Sequence, residues 1–144
     1  MNISQVGISL IKSYEQLRLH AYLPTPNDVP TIGWGSTKGV KMGDVIDADE
    51  ANDKLLSDLH EAEDCIAAHV DVDLSQGQYD ALCSLIFNIG CGAFKGSTIR
   101  SLINAGQFLA AQKQFIRWNK QAGKELAGLT RRRTEETELF RSIA

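Results

Sequence analysis

Between residues 15 and 36 the chain sets out Glu15, Asp28 and a Thr31-Ile32-Gly33-Trp34-Gly35-Ser36 run. Glu15 follows Tyr14, with Ile11 and Leu19 as apolar neighbours at helical spacing. A glutamate at the edge of an apolar surface tends to keep its proton, because desolvation penalises the anion, and a general acid needs that near neutral pH. Asp28 falls in a Pro/Asn/Asp loop, where a carboxylate ionises more readily. Two carboxylates in unlike surroundings flanking a cleft are the usual apparatus for cleaving a glycosidic bond. Glu and Asp are common, so the pair alone is a weak signal. Asp28 reads equally as a turn former beside Asn27.

These groups need elements to hold them. Val6, Ile8, Leu10, Ile11, Tyr14, Leu17 and Leu19 recur at spacings of three and four, which predicts a helix over 4–20, with Ser4 or Asn2 as its cap. Pro24 and Pro26 forbid its continuation. Pro30–Trp34 and Val40–Met42 read as short strands of a small sheet. Asp47 and Glu50 form a capping-box pattern that opens a helix to about Ala68, with Ala51, Leu55, Leu59, Ala62, Ile66 and Val70 on its apolar stripe. Ser75 starts a second helix, apolar on most faces from Gln76 to Ile89 and therefore a core helix. Ser97 starts a short helix over Thr98–Asn104, Phe108–Asn119 reads as another, and Thr130 reads as the cap of the last. The expected class is α+β: a small N-terminal sheet lobe (about 14–46), a long connecting helix (about 47–70) and a larger helical lobe (about 71–144) on which the first helix packs.

Composition excludes other classes. The 144 residues are 43% hydrophobic and 23% charged, with no apolar run long enough to span a bilayer. The N-terminus lacks a charged start, apolar stretch and cleavage site, so no signal peptide is expected. Cys65, Cys83 and Cys91 cannot all pair, and free thiols on helix faces would suit a reducing cytoplasm. Their spacing does not predict a metal site. Net charge is −3 but uneven, with twelve acidic residues in 41–80 and ten basic residues in 81–144. Such polarity reads as solvated helix faces or as a basic lobe for an anionic polymer.

Further blocks specify the reading. Glu15-X-X-Arg18-Leu-X-Ala-Tyr22, Thr31–Gly35, Gln78–Gly90, Phe94-Lys95-Gly96-Ser97-Thr98, Trp118, and Arg131-Arg132-Arg133 leading to Leu139-Phe140 occur in that order. Together they resemble the phage-type lysozymes, the endolysins of glycoside hydrolase family 24, across nearly the whole chain. The resemblance implies one lysozyme-like domain over 1–144. It implies a muramidase that cuts the β-1,4 bond between N-acetylmuramic acid and N-acetylglucosamine. Glu15 would be the general acid, and Thr31 would lie beside the attacking water. One of Arg131, Arg132 and Arg133 would pair with the acid. Asn88, Ser36 and Tyr22 would face substrate.

The sequence departs from the family at two points. The family's Asp two residues after the Tyr is replaced by Pro24, and its His after the second Gly is replaced by Ser36. Asp28, three residues before Thr31, could take over the missing carboxylate's role through a rearranged loop. A lytic transglycosylase, which needs one carboxylate, and a wall-binding module without catalysis are the alternatives. The resemblance implies no metal and no organic cofactor. It implies peptidoglycan glycan strands as partner, no nucleic acid and no stable membrane insertion. It further implies a monomer held in the host cytoplasm until a holin releases it to the periplasm or cell wall.

Overall fold

The computed structural model describes residues 1–141. Helix α1 (Gln5–Tyr14) leads to an antiparallel pair, β1 (Arg18–Tyr22) and β2 (Thr31–Gly33), then to the long α2 (Ala48–His69). Helices α3 (Gln76–Ile89), α4 (Cys91–Lys95), α5 (Thr98–Asn104) and α6 (Phe108–Gln112) follow. A 3-10 turn (Phe115–Trp118), a hairpin of β3 (Lys120–Gln121) and β4 (Lys124–Glu125), and α7 (Ala127–Arg141) complete the chain. The α+β expectation stands. Among the described residues no helix is long and apolar enough to cross a membrane.

The chain forms two compact units, Ile11–Glu61 and Met1–Leu10 with the chain from Ala62 onward. In the smaller unit the buried apolar residues are Ile11, Ile32, Val40, Ala51, Leu55 and Leu59. In the larger, α3 supplies Ala81, Leu82, Cys83, Leu85 and Ile86 to a core shared with Phe94, Ile99, Ile103, Phe115 and Phe140. Phe115 and Phe140 meet as tilted rings 5.3 Å apart. Asp80 of α3 is also buried, and is satisfied by the Ser4 backbone N–H at 2.9 Å, the Ser4 hydroxyl and the Gln76 amide at 2.8 Å.

Three helix starts follow local chemistry. The Glu50 N–H donates to Asp47 Oδ1 at 2.8 Å, and Glu50 Oε1 accepts from the Asp47 N–H at 3.4 Å. Ser75 and Gln78 form a full capping box at α3, and the Ser97 hydroxyl accepts from the Arg100 N–H at α5.

Four expectations are corrected. The first helix ends at Tyr14, because residues 18–22 pair instead with β2 and with the segment around Val45. Leu17, Leu19 and Ala21 also alternate with period two, and strand pairing exploits that pattern. Val40–Met42 is not a strand: Lys41–Asp44 closes a turn, with the Lys41 N–H on Asp44 Oδ2 at 2.9 Å, and the strand-like pairing moves to His20 and Val45. The Phe108–Asn119 helix stops at Gln112 and continues as a 3-10 turn. Thr130 lies inside α7 rather than at its cap, and its hydroxyl accepts from the Asn119 amide at 3.0 Å.

The expectation of free cysteines is also overturned. Cys65 and Cys91 form a disulfide, and Cys83 is the buried free thiol among the described residues. Beyond Gly90 the chain enters α4 with Cys91 at its start, bringing the Cys91 Cα to 5.8 Å from that of Cys65. Local patterning cannot reveal such a pairing.

Candidate active site

Glu15 is the first residue beyond α1, half-buried, with its N–H on the Lys12 carbonyl at 3.3 Å. The helix end thus fixes its backbone. The carboxylate faces the turn that follows β2. Ile32 and Ser36 exchange two backbone hydrogen bonds, each 2.9 Å, so Gly33-Trp34-Gly35 is a three-residue loop. Gly33 and Gly35 adopt φ of 67° and 95°, a region that L side chains rarely occupy. A Cβ on Gly35 would come within 3.1 Å of Glu15 Oε2. The two glycines let the loop backbone close against the acid.

The loop is anchored at its tip. The Trp34 indole N–H donates to Asn52 Oδ1 at 3.0 Å, and Lys12 Nζ donates to the same oxygen at 2.9 Å. The Lys12 ammonium also lies 5.0 Å from the Trp34 ring centroid, in cation–π range. Helices α1 and α2 are thereby tied to the loop that meets Glu15. Sequence reading missed Lys12 and Asn52, because neither belongs to a local motif.

Thr31 is buried on β2 and pairs with Tyr22 in the ladder. Its hydroxyl donates to the Val29 carbonyl at 3.0 Å, so Oγ1 faces further partners as an acceptor. Asp28 is exposed, and its Oδ1 accepts from the Val29 N–H at 2.8 Å, while its own N–H closes a turn onto the Thr25 carbonyl at 3.0 Å. Asp28 therefore holds the N–H of the same residue, Val29, whose carbonyl accepts from Thr31. Pro24 lies exposed in the same loop. The half-buried Tyr22 ring is covered by the Arg18 guanidinium at 4.7 Å. Ser36 is buried, and its hydroxyl donates to Asp58 Oδ2 at 2.7 Å. Burial pushes the Asp58 carboxyl up, and the Ser36 hydroxyl partly offsets this.

The remaining candidates lie in the larger unit. Arg131 is exposed, whereas Arg132 and Arg133 are buried and both reach Glu136, at 3.3 Å and 2.8 Å. Burial pushes the Glu136 carboxyl up; the two guanidiniums and the Ser84 hydroxyl oppose that shift. Arg133 Nη2 donates to Asn88 Oδ1 at 2.8 Å, and Asn88 is itself exposed. With its oxygen engaged, the exposed Asn88 amide retains two N–H donors. Sequence reading passed over Glu136; the Arg-Arg-x-x-Glu spacing, which puts both arginines within one turn of it, was the available signal.

Comparison with known proteins gives a consistent result. Residues 12–136 match the family model described as phage lysozyme. The chain is 44% identical over 147 residues to the endolysin of Salmonella phage P22, covering 99% of each. It is 44% identical over 142 residues to the endolysin of Bacillus phage B103, covering 97% of this chain and 54% of that protein. The chain thus spans about half the length of the Bacillus phage relatives it matches. The solved muramidase domain of SpmX from Asticaccaulis excentricus superposes with a TM-score of 0.90 at 35% identity, covering 98% of both chains.

Proposed function

Because the chain belongs to the phage lysozyme family, we propose that it is a glycoside hydrolase cutting the β-1,4 bond between N-acetylmuramic acid and N-acetylglucosamine in peptidoglycan. The observation that carries this reading is Glu15, held at a helix end against the Gly35 backbone. Glu15 gives its proton to the glycosidic oxygen as the bond breaks. The sugar passes through an oxocarbenium-like state. Thr31 accepts a hydrogen bond from the attacking water, because its own proton is committed to Val29. Asp28 acts through Val29 as a positioning residue for Thr31. The exposed Asn88 donates to acceptor groups of the glycan, and in the smaller unit Tyr22 and Ser36 contribute to its binding.

Turbidity loss of purified cell walls tests the assignment. Glu15→Gln should abolish it while leaving the thermal melt in place, and retained lysis would remove Glu15 from the mechanism.

Pro24, in place of the family's second carboxylate, favours one alternative. A transglycosylase uses the muramic acid 6-hydroxyl instead of water and needs Glu15 alone. Mass spectrometry of released fragments separates the two: reducing ends mean hydrolysis, anhydro ends mean transglycosylation.

In this reading the protein works as a single lysozyme domain and as a monomer. It waits in the host cytoplasm and reaches the wall through a holin pore. The Cys65–Cys91 disulfide supports an oxidising destination rather than lasting residence among reducing thiols.

A further inference from the structure

One cluster of ligand-type side chains in the larger unit has no part in glycan cleavage. Cys65 and His69 lie four residues apart on α2, which places them on one face one turn apart. Cys91 opens α4. The two sulfurs and an imidazole nitrogen all lie within 4.8 Å of one another. We propose that Cys65, His69 and Cys91 form a redox-gated site for a thiophilic divalent cation such as Zn²⁺, closed in the disulfide state and open in the dithiol state.

The geometry sets the gate. Zinc holds thiolate sulfur at about 2.3 Å and imidazole nitrogen at about 2.0–2.1 Å, so neighbouring ligands sit roughly 3.5 Å apart. In the disulfide neither sulfur is a thiolate, which excludes the cation. Once the bond is broken, rotation about the two Cα–Cβ bonds separates the sulfurs. The imidazole already stands within reach.

The scaffold favours such a site. The His69 carbonyl accepts from Arg100 Nε and the Asn104 amide, both at 2.9 Å, which pins the end of α2. Cys65 is buried, while His69 and Cys91 are half-buried, leaving a fourth position for water. Two thiolates neutralise the dication, so no net charge is buried. Cys83 lies on α3 outside this trio, and burial keeps its thiol protonated.

The chemistry balances as follows. A dithiol reductant passes two electrons and two protons to the Cys65–Cys91 bond and leaves as its own disulfide. Binding of Zn²⁺ displaces the two thiol protons. A disulfide oxidant reverses the exchange by removing two electrons, and the cation is released.

Titration of the full chain against a chromophoric chelator loaded with Zn²⁺ tests the site, after anaerobic removal of reductant. Reduced protein should take up one equivalent, and oxidised protein none beyond the level of the Cys65→Ser/Cys91→Ser double variant. Cys83→Ala should bind as the parent does. Loss of an outer-shell partner alone costs about 10–100-fold in metal affinity, so His69→Ala should weaken binding by at least about tenfold. His69→Ala keeps the disulfide, so it can be folded oxidised before reduction, and circular dichroism monitors all variants. Equal Zn²⁺ uptake by oxidised and reduced protein would overturn the gate. Uptake by the reduced parent no greater than that of the double variant, or unchanged affinity in His69→Ala, would overturn the site.

Discussion

Gly35 stands against the Glu15 carboxylate so closely that a Cβ at residue 35 would lie 3.1 Å from Oε2. At φ of 95° the position also disfavours any L side chain. Gly35→Ala therefore strains the loop by about 1–3 kcal/mol and presses its methyl group against the carboxylate. Wall-lysis turnover should fall by about tenfold or more, since a displacement near 1 Å can cost 10²-fold, while the melting temperature drops only by a few degrees. Unchanged turnover with a lowered melting temperature would mean that the close approach serves folding alone.

Thr31 and Asp28 separate chemistry from positioning. Thr31→Val keeps the shape and removes the hydroxyl. Val29 is exposed, so water can replace the lost partner of its carbonyl and stability should change little. Activity should fall by about tenfold or more, the lower side of what acid–base assistance supplies. Asp28→Asn keeps an oxygen for the Val29 N–H and should retain most activity, whereas Asp28→Ala frees the loop and should lose it. Loss of 10²-fold or more in Asp28→Asn would instead make the charge itself catalytic.

What could be read from the residues was local. Asp47, Ser75 and Ser97 each announce a helix by a side-chain oxygen placed before it, and each cap is formed. The Thr31–Gly35 run reads as a short strand whose glycines admit a close approach to the backbone, and the structure makes Gly33 and Gly35 the positive-φ residues of a turn against Glu15. Residues 17–22 were ambiguous, since their apolar spacing fits both periods and only pairing with β2 decides. The Cys65–Cys91 bond spans 26 residues and depends on how α2 meets α4. The Lys12–Asn52–Trp34 anchor is likewise tertiary, invisible to any window of sequence, whereas the Glu136 pairs lie within one turn of α7 and were there to be read from the Arg-Arg-x-x-Glu spacing.

Asp58 gives stability a pH dependence of definite sign. Its folded carboxyl is raised above the ordinary value of 3.8, chiefly by burial. Below that value both folded and unfolded chains carry the proton. As pH rises, the unfolded chain ionises first, so stability is lost until the folded carboxyl ionises in turn. Asp58→Asn keeps an oxygen for the Ser36 hydroxyl and has no charge to desolvate. Urea denaturation should find it more stable than the parent at pH 7, with the advantage gone near pH 3. A constant difference across that range would assign the effect to something other than ionisation.

The Cys65–Cys91 link should be worth about 3–4 kcal/mol by the chain-entropy relation for a closed loop of this size. The double serine variant, compared with oxidised parent by urea denaturation, should show a loss in that range. Its wall-lysis rate at low temperature should stay close to the parent's, because no group proposed to touch substrate is altered. A large loss of turnover in folded double variant would place the disulfide in control of the catalytic machinery as well.

Glu136 is where stability and the proposed substrate contact meet. It is fully buried, it pairs with Arg132 and Arg133, and Arg133 in turn holds the exposed Asn88. Glu136→Gln removes the anion and leaves two buried guanidiniums without it, a change that typically costs about 3–5 kcal/mol. Urea denaturation should show a loss of that order. At a temperature where the variant is still folded, a shift of Arg133 moves the Asn88 amide it holds, so KM for soluble glycan fragments should rise more than kcat falls. Asn88→Asp isolates the second effect: it keeps an acceptor for Arg133 but withdraws the outward donor. It should reproduce the KM change with little loss of stability. A variant pair in which stability falls but KM does not move would confine the cluster to holding α7 on α3.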